Sequence, residues 1–336
     1  MSDLVPVVDL EAPDAVGRID EACRSIGFLS VVGHGVGHRV VDHMLEETAE
    51  FFALPLEDKL ALRPPRPDVD RGYAAKGSEG LVYSLGVGGA PPDLFEAFNI
   101  GPDSWPAGDP IFEAERDRIF APNIWPAWPA GLRAALVAYF EAVRDLAHRL
   151  TSLFALALDL ESDFFDDKTD HSTDTMRVNH YERSPGEPAP LAGQLRMGAH
   201  TDYGIVTVLY AEAVPGLQIV GPDGAWHDVS PAEGAFLVNL GDLLAEWTND
   251  RWRSTLHRVV PPHPGTPGPV RRRSVAFFHD GNYDALVECL PTCQSADHPP
   301  KYRPVTAGEH LMAKLLGPRT LTASEAVSTT GDRPLR

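Results

Sequence analysis

From about Thr175 the hydrophobic period of this chain switches from helical spacing to alternation, which limits the folds open to it. Short strand-like runs follow at Met176–Glu182, Ile205–Tyr210, Leu217–Val220, Ala225–Val229, Ala235–Leu240, Thr255–Val260 and Val270–His279. Turn residues separate them, among them Pro215-Gly, Pro222-Asp-Gly and Pro264-Gly-Thr-Pro-Gly. Many short strands between turn signals predict an all-β sandwich or barrel.

The first half reads differently. Val5-Pro-Val-Val-Asp-Leu10 predicts a short strand whose proline restricts it to an edge or entry position. Val16, Ile19, Ala22, Cys23 and Ile26 have helical spacing up to Gly27. Phe28–Val32 is strand-like and ends at Gly33-His34-Gly35, where His34 is read as a turn residue. A second helix is expected from about Val40 to Phe52, with Pro55 ending it or beginning a short turn. Residues 63–110 are dense in Pro and Gly and predict irregular structure that carries aromatic side chains. The strongest helical stripe runs from Leu132 through Leu136, Phe140, Val143 and Leu146 to Leu156, and is expected to back the sheet, with His148 on its surface. No linker divides the halves. One domain over 1–336 is expected, with an N-terminal helical and β region (1–125), a scaffold helix (126–165), a β core (175–290) and a C-terminal helix and tail (291–336).

Composition narrows the function classes. The chain has 336 residues, with 29 basic against 48 acidic, a net charge of −19. Such a surface repels phosphate backbones and anionic lipid, so neither nucleic acid nor membrane is expected as a partner. The start of the chain lacks a basic-then-apolar leader and no long apolar run follows, so a cytoplasmic, soluble protein is expected, read as a monomer with an oligomer left open. Cys23, Cys289 and Cys293 have no paired spacing and read as reduced thiols.

The chemistry concentrates around His200-Thr-Asp202. In an extended strand, residues two apart share a side, so this imidazole and carboxylate can converge. Alone the pair is weak, because with 13 His in the chain about one such pair arises by chance. His257, in the strand-like Ser254-Thr-Leu-His257-Arg-Val, is the candidate third ligand, with His227 and His279 as competitors. Two His and one carboxylate with an open opposite face suit non-haem Fe(II). In Arg271-Arg-Arg-Ser-Val-Ala-Phe-Phe278, alternation puts Arg272, Ser274, Ala276 and Phe278 on one face. A guanidinium with a hydroxyl two residues on makes a carboxylate clamp, while Arg271 and Arg273 fit an exposed basic face. Arg177, Asn179 and Tyr181 share a face of another strand. There Tyr181 could donate to a bound carboxylate and Arg177 could meet an acidic substrate group.

These residues carry a resemblance. The chain resembles the isopenicillin N synthase-like family of Fe(II)/2-oxoglutarate-dependent oxygenases over nearly its whole length. The matching parts include Phe51-Phe-Ala-Leu-Pro, Arg71-Gly-Tyr73, Asn179-His-Tyr181, His200-Thr-Asp202, Asn239-Leu-Gly-Asp242, Trp247-Thr-Asn, Ser254-Thr-Leu-His257-Arg-Val and Arg272-Arg-Ser274. It implies a mainly β fold with flanking helices (α+β), a double-stranded β-helix or jelly-roll core backed by the long helix. It implies that His200, Asp202 and His257 hold Fe(II). It also implies that Arg272 and Ser274 bind the distal carboxylate of 2-oxoglutarate, with Tyr181 and Asn179 assisting. The Pro-rich Pro261–Pro269 departs from the pattern by its length and is expected to form a surface hairpin loop.

The implied activity is hydroxylation of a small molecule with O2 and 2-oxoglutarate, releasing succinate and CO2; desaturation and cyclisation use the same oxidant. An oxidase that uses O2 without 2-oxoglutarate and an ethylene-forming enzyme share the triad, so both stay open, as do a non-catalytic metal-binding β barrel and a zinc hydrolase. Candidate pocket walls are Arg177, Tyr73, Tyr83, Phe95, Phe98, Leu209 and Phe278. Residues after Cys293, including the helical Ala307–Leu316, are expected to close over the mouth, and Ala323–Arg336 to fray.

Overall fold

The computed structural model describes residues 4–86, 89–105, 108–183, 186–262 and 271–315. Most of the expected hairpin loop (263–269) and the tail Ala323–Arg336 lie outside these residues. In chain order the N-terminal elements are β1 (Val7–Asp9), α1 (Ala15–Ser25), β2 (Phe28–Val32), α2 (His38–Phe52) and α3 (Leu56–Leu60). There follow β3 (Gly72–Ala74), a 3-10 turn at Leu81–Leu85, β4 (Glu96–Ile100), α4 (Pro110–Glu115), α5 (Leu132–Ala157) and α6 (Asp166–Thr169). The β region comprises β5 (Thr175–Tyr181), β6 (Met197–His200), β7 (Val206–Ala211), β8 (Leu217–Val220), β9 (Trp226–Asp228), β10 (Phe236–Leu240), α7 (Asp242–Trp247), β11 (His257–Val259) and β12 (Arg272–His279). It closes with β13 (Leu286–Val287), β14 (Val305–Thr306) and α8 (Ala307–Leu315).

Two sheets form the core. The larger has the order β1-β2-β10-β7-β12-β5-β4-β3 and the smaller β6-β11-β8-β9. From β5 to β12 the chain passes back and forth between them, apart from the β8–β9 hairpin, giving a jelly roll of four strands against four. β1 with β2 and β4 with β3 extend the larger sheet at its two edges, while β13 and β14 pair in a small sheet of their own. Pro55 begins α3 rather than only ending α2, as a proline fits where no N–H is needed. The Pro- and Gly-rich segment predicted to be irregular contributes β3 and β4. Four of the five residues of β4 are buried, so no alternation marked it in the sequence.

The same reason explains the apolar character of the central strands. One face of β12 carries Val275 and Phe277 against the scaffold helix, where the Phe140 and Phe277 rings stand 4.9 Å apart. The other face carries Arg272, Ser274, Ala276 and Phe278 toward a chamber between the sheets. His148 departs from its expected exposure: it lies half-buried, its ring 5.1 Å from that of His279. Arg273 departs too. It is buried, paired with Glu212 at 3.0 Å, and hydrogen-bonded to the Leu45 carbonyl, tying β12 to α2. Gly27 ends the first helix with φ +65°, and a Cβ there would stand 2.1 Å from the Arg253 carbonyl oxygen. Only glycine fits both constraints.

At the outer edge of the larger sheet, Glu96 accepts hydrogen bonds from Lys59 Nζ (2.8 Å), the Tyr73 hydroxyl (2.5 Å) and His180 Nδ1 (2.9 Å). Burial raises the Glu96 pKa, but the bonds from His180, Lys59 and Tyr73 outweigh it and hold it at about 2, against 4.5 ordinarily. A depressed folded-state pKa contributes stability above the unfolded value, lost as pH falls through the folded value. Glu96→Gln is therefore expected to cost about 2 kcal/mol at neutral pH, after a discount for solvent screening. The deficit should shrink as pH falls from 4.5 toward 2. Thermal melts at several pH values check this, and a constant deficit would contradict it.

Candidate active site

His200 ends β6 and His257 begins β11, and the two are direct cross-strand partners. Their separation in sequence closes because the smaller sheet pairs the two strands. Asp202 does not reach the site by strand alternation as the sequence predicts, for Thr201 and Asp202 have left the strand. Instead its Oδ2 accepts from Thr207 Oγ1 (2.5 Å) and Asn239 Nδ2 (2.6 Å), which aims Oδ1 at the imidazoles. Oδ1 lies 3.7 Å from His200 Nε2 and 3.6 Å from His257 Nε2. The three side chains offer ligand atoms all within 4.8 Å of one another, the one such group among the described residues. Donors about 3.6 Å apart can share one ion at metal–ligand bonds of about 2.1 Å.

The backbone sets the histidine tautomers. His200 Nδ1 lies 2.8 Å from the Gly198 carbonyl and His257 Nδ1 3.0 Å from that of Thr255. A carbonyl only accepts, so each Nδ1–H donates and each Nε2 presents a lone pair. Burial, with His257 beside it, lowers the His200 pKa to about 3, so the ring stays neutral and ready to ligate. Burial works against Asp202 ionisation. His257 and His200, with the Thr207 and Asn239 hydrogen bonds, overcome this and keep its pKa below the usual carboxylate value.

Across the chamber, Arg272 is 2% exposed, its guanidinium 5.3 Å from the Tyr181 ring centroid. Its Nε and Nη1 have no hydrogen-bond partner. Buried cationic donors left open are costly, so they point to an absent anion. Ser274 and Tyr181 flank it, the Tyr181 hydroxyl donating to Met197 Sδ at 3.7 Å. Both an imidazole-carboxylate metal set and a carboxylate clamp therefore face one cavity of about 1290 Å³, its open mouth included.

The other candidates divide. Arg177, Asn179, Leu209 and Phe278 line the chamber. Arg177 is already paired with Glu79 at 2.7 Å and donates to Asn179 Oδ1 at 3.2 Å, so it is not a free anion receptor. Tyr73 lies instead in the core, held by Glu96. Tyr83 donates to the Ala90 carbonyl, Phe95 packs below Arg177, and Phe98 packs on Phe51. None of these four walls the chamber, because apolar burial in the N-terminal region took them inward. His279 pairs with Asp174 at 2.9 Å, behind the wall, and His227 pairs with exposed Asp223, so neither joins the triad. His34 holds a turn through Gly234 and Val36.

Several chamber residues were not singled out from sequence, notably Thr207, Glu79, Asp280 and Leu311. Alternation would have found two: Thr207 lies two before Leu209, and Asp280 two after Phe278. Leu311 comes from α8, so the expected closure of the mouth by the C-terminal helix has a counterpart here. Lys314 of that helix reaches Asp242 at 2.9 Å, and Asp242 accepts from Thr201 at 3.1 Å, tying α8 to the loop that carries Asp202.

A jelly-roll core with a buried His-Asp-His group facing an arginine clamp defines a mononuclear metal oxygenase. The chain belongs to the 2OG-Fe(II) oxygenase superfamily: that family's model matches residues 172–281, and the model described as non-haem dioxygenase in morphine synthesis N-terminal matches residues 5–128. It is 36% identical over 297 residues to the 2-oxoglutarate-Fe(II) type oxidoreductase hxnY of Emericella nidulans, covering 87% of this chain and 81% of that protein. It is 34% identical to validamycin A dioxygenase of Streptomyces hygroscopicus, covering 94% and 86%. The crystal structure of a full-length Neurospora crassa protein in complex with alpha-KG and thymine superposes with a TM-score of 0.78 at 28% identity, covering 93% and 96%. The protein is thus an Fe(II)- and 2-oxoglutarate-dependent oxygenase acting on small molecules, with O2 as co-substrate. No described helix is long and apolar enough to cross a membrane.

Proposed function

We propose that the protein hydroxylates a C–H bond of a small molecule, with Fe(II) on His200, Asp202 and His257 and 2-oxoglutarate clamped by Arg272 and Ser274. Arg272 carries this reading, as a buried guanidinium with open donors beside the triad. Bound iron, 2-oxoglutarate and O2 supply the C–H-oxidising chemistry, with succinate and CO2 as co-products. The chain's own work is positioning. Arg272 offers the distal carboxylate charge-assisted hydrogen bonds, and Ser274 and Tyr181 add hydroxyls. Asn179 assists by holding the Arg177 side of the wall. Thr207 and Asn239 keep the metal-facing oxygen of Asp202 oriented. Phe28, Met197, Leu217 and Val259 form an apolar lining around the triad that excludes water. Leu209 and Phe278 contact the substrate, with the Arg177–Glu79 pair above them.

The protein acts as a cytoplasmic monomer without a nucleic-acid or membrane partner. Its acidic charge and the free thiols of Cys23, Cys289 and Cys293 support this. The test is anaerobic addition of 2-oxoglutarate to the Fe(II) protein, followed by exposure to labelled O2 with candidate substrates. A metal-to-ligand absorption band, succinate, and one labelled oxygen in the product are expected. Absence of the band refutes the clamp assignment, and an unlabelled, desaturated product refutes hydroxylation.

A further inference from the structure

The chamber-facing side of β12 continues past its last residue to Asp280. A guanidinium therefore stands at one end of this wall and a carboxyl at the other. Asp280 is 7% exposed, and among the described residues it has no hydrogen-bond or ion-pair partner. Arg272 apart, Arg177 is engaged by Glu79, Asp202 by Thr207 and Asn239, and Arg71 by the carbonyls of Ala121, Asp70 and Ile119. A buried polar group without a partner destabilises the fold unless the functional state satisfies it.

Resting on the oxygenase reading above, we infer that Asp280 selects the substrate, and that the substrate presents a protonated amine to it. The surroundings favour a cation over a neutral or anionic group. Burial pushes the Asp280 pKa well above the ordinary carboxylate value, and an ammonium set against the carboxyl offsets that cost by stabilising its ionised form, which a neutral or anionic group does not. An ammonium carries three donors. Asp280 accepts one, and the hydroxyls of Thr173 and Thr175, on the same wall, can take others. Phe278, Ile119 and Leu311 supply apolar surface for the carbon body. Thr207, which holds Asp202, is the cross-strand partner of Phe278, two residues before Asp280. The carbon to be oxidised therefore lies a few bonds from the nitrogen.

The test uses the full-length Fe(II) protein with 2-oxoglutarate, wild type and Asp280→Asn, whose amide keeps the shape of the side chain. The probes are benzylamine, cyclohexylmethylamine and piperidine, each against its neutral counterpart: benzyl alcohol, cyclohexylmethanol and tetrahydropyran. Binding is read anaerobically from perturbation of the metal-to-ligand band, and turnover from succinate release. In the wild type, an amine is expected to bind at least about 10-fold more tightly than its counterpart. In Asp280→Asn that preference should disappear, with amine affinity down by about 30-fold or more, while the unperturbed band stays. Equal behaviour of amines and counterparts in the wild type, including no response to either, overturns the inference, as does a preference that survives Asp280→Asn. A wild-type protein that develops no band with 2-oxoglutarate instead overturns the cofactor reading beneath it.

Discussion

Replacing His257 with alanine is expected to remove Fe(II) binding and to lower succinate release by at least about 1000-fold. The loss follows from geometry. Changing a residue that only orients a ligand typically costs 10- to 100-fold in metal affinity, and losing the ligand itself costs more. Asp202 Oδ1 faces both imidazoles, so the variant leaves one imidazole and a carboxylate, too few to hold the ion at the concentrations of an assay. The fold should survive, because β11 keeps its backbone pairing with β6 and β8. Anaerobic Fe(II) titration checks the affinity, and circular dichroism checks the fold. A folded variant that still binds one Fe(II) as tightly as the wild type would remove His257 from the ligand set.

The second large effect is at Arg272. Arg272→Met should weaken 2-oxoglutarate binding by about 100- to 1000-fold, the usual range for losing one partner of a buried charge-assisted pair. Fe(II) affinity should be unchanged, since Arg272 is not part of the triad. The apoprotein should melt no lower than the wild type. Burial already lowers the Arg272 pKa, and its Nε and Nη1 have no partner, so a methionine of similar length removes an uncompensated charge. This combination separates a cosubstrate clamp from a structural arginine, whose loss would lower the melting temperature and leave 2-oxoglutarate affinity intact. Arg273→Met offers the contrast, because its ion pair with Glu212 should make that variant less stable.

Much of this molecule was legible before any coordinates. Alternation and turn residues located seven of the eight jelly-roll strands, all but β6; in β12 the alternation reflects one face on the scaffold helix and the other toward the chamber. The same alternation put Arg272, Ser274 and Phe278 on one side. The resemblance drew together His200, Asp202 and His257. What failed were the aromatic wall candidates and the second arginine. Tyr73, Tyr83, Phe95 and Phe98 have the composition of a binding loop, but composition cannot tell whether a ring faces a cavity or a core. Arg273 looked exposed because nothing near it in the chain announced Glu212 or the Leu45 carbonyl as partners.

The chain by itself determined the periods, the turn positions and the chemical types available: a pair of histidines, a carboxylate, and an arginine with a serine two residues on. Period and residue type are local, and each is expressed wherever the backbone has a strand or helix to offer. Only the tertiary structure decided convergence and pairing. Cross-strand register brought His257 to His200, and Thr207 and Asn239 turned Asp202 toward them. It also matched Arg177 to Glu79 while leaving the Nε and Nη1 donors of Arg272 open. These outcomes depend on which distant groups meet in a space without water, where an unmatched charge is costly and a matched one is silent.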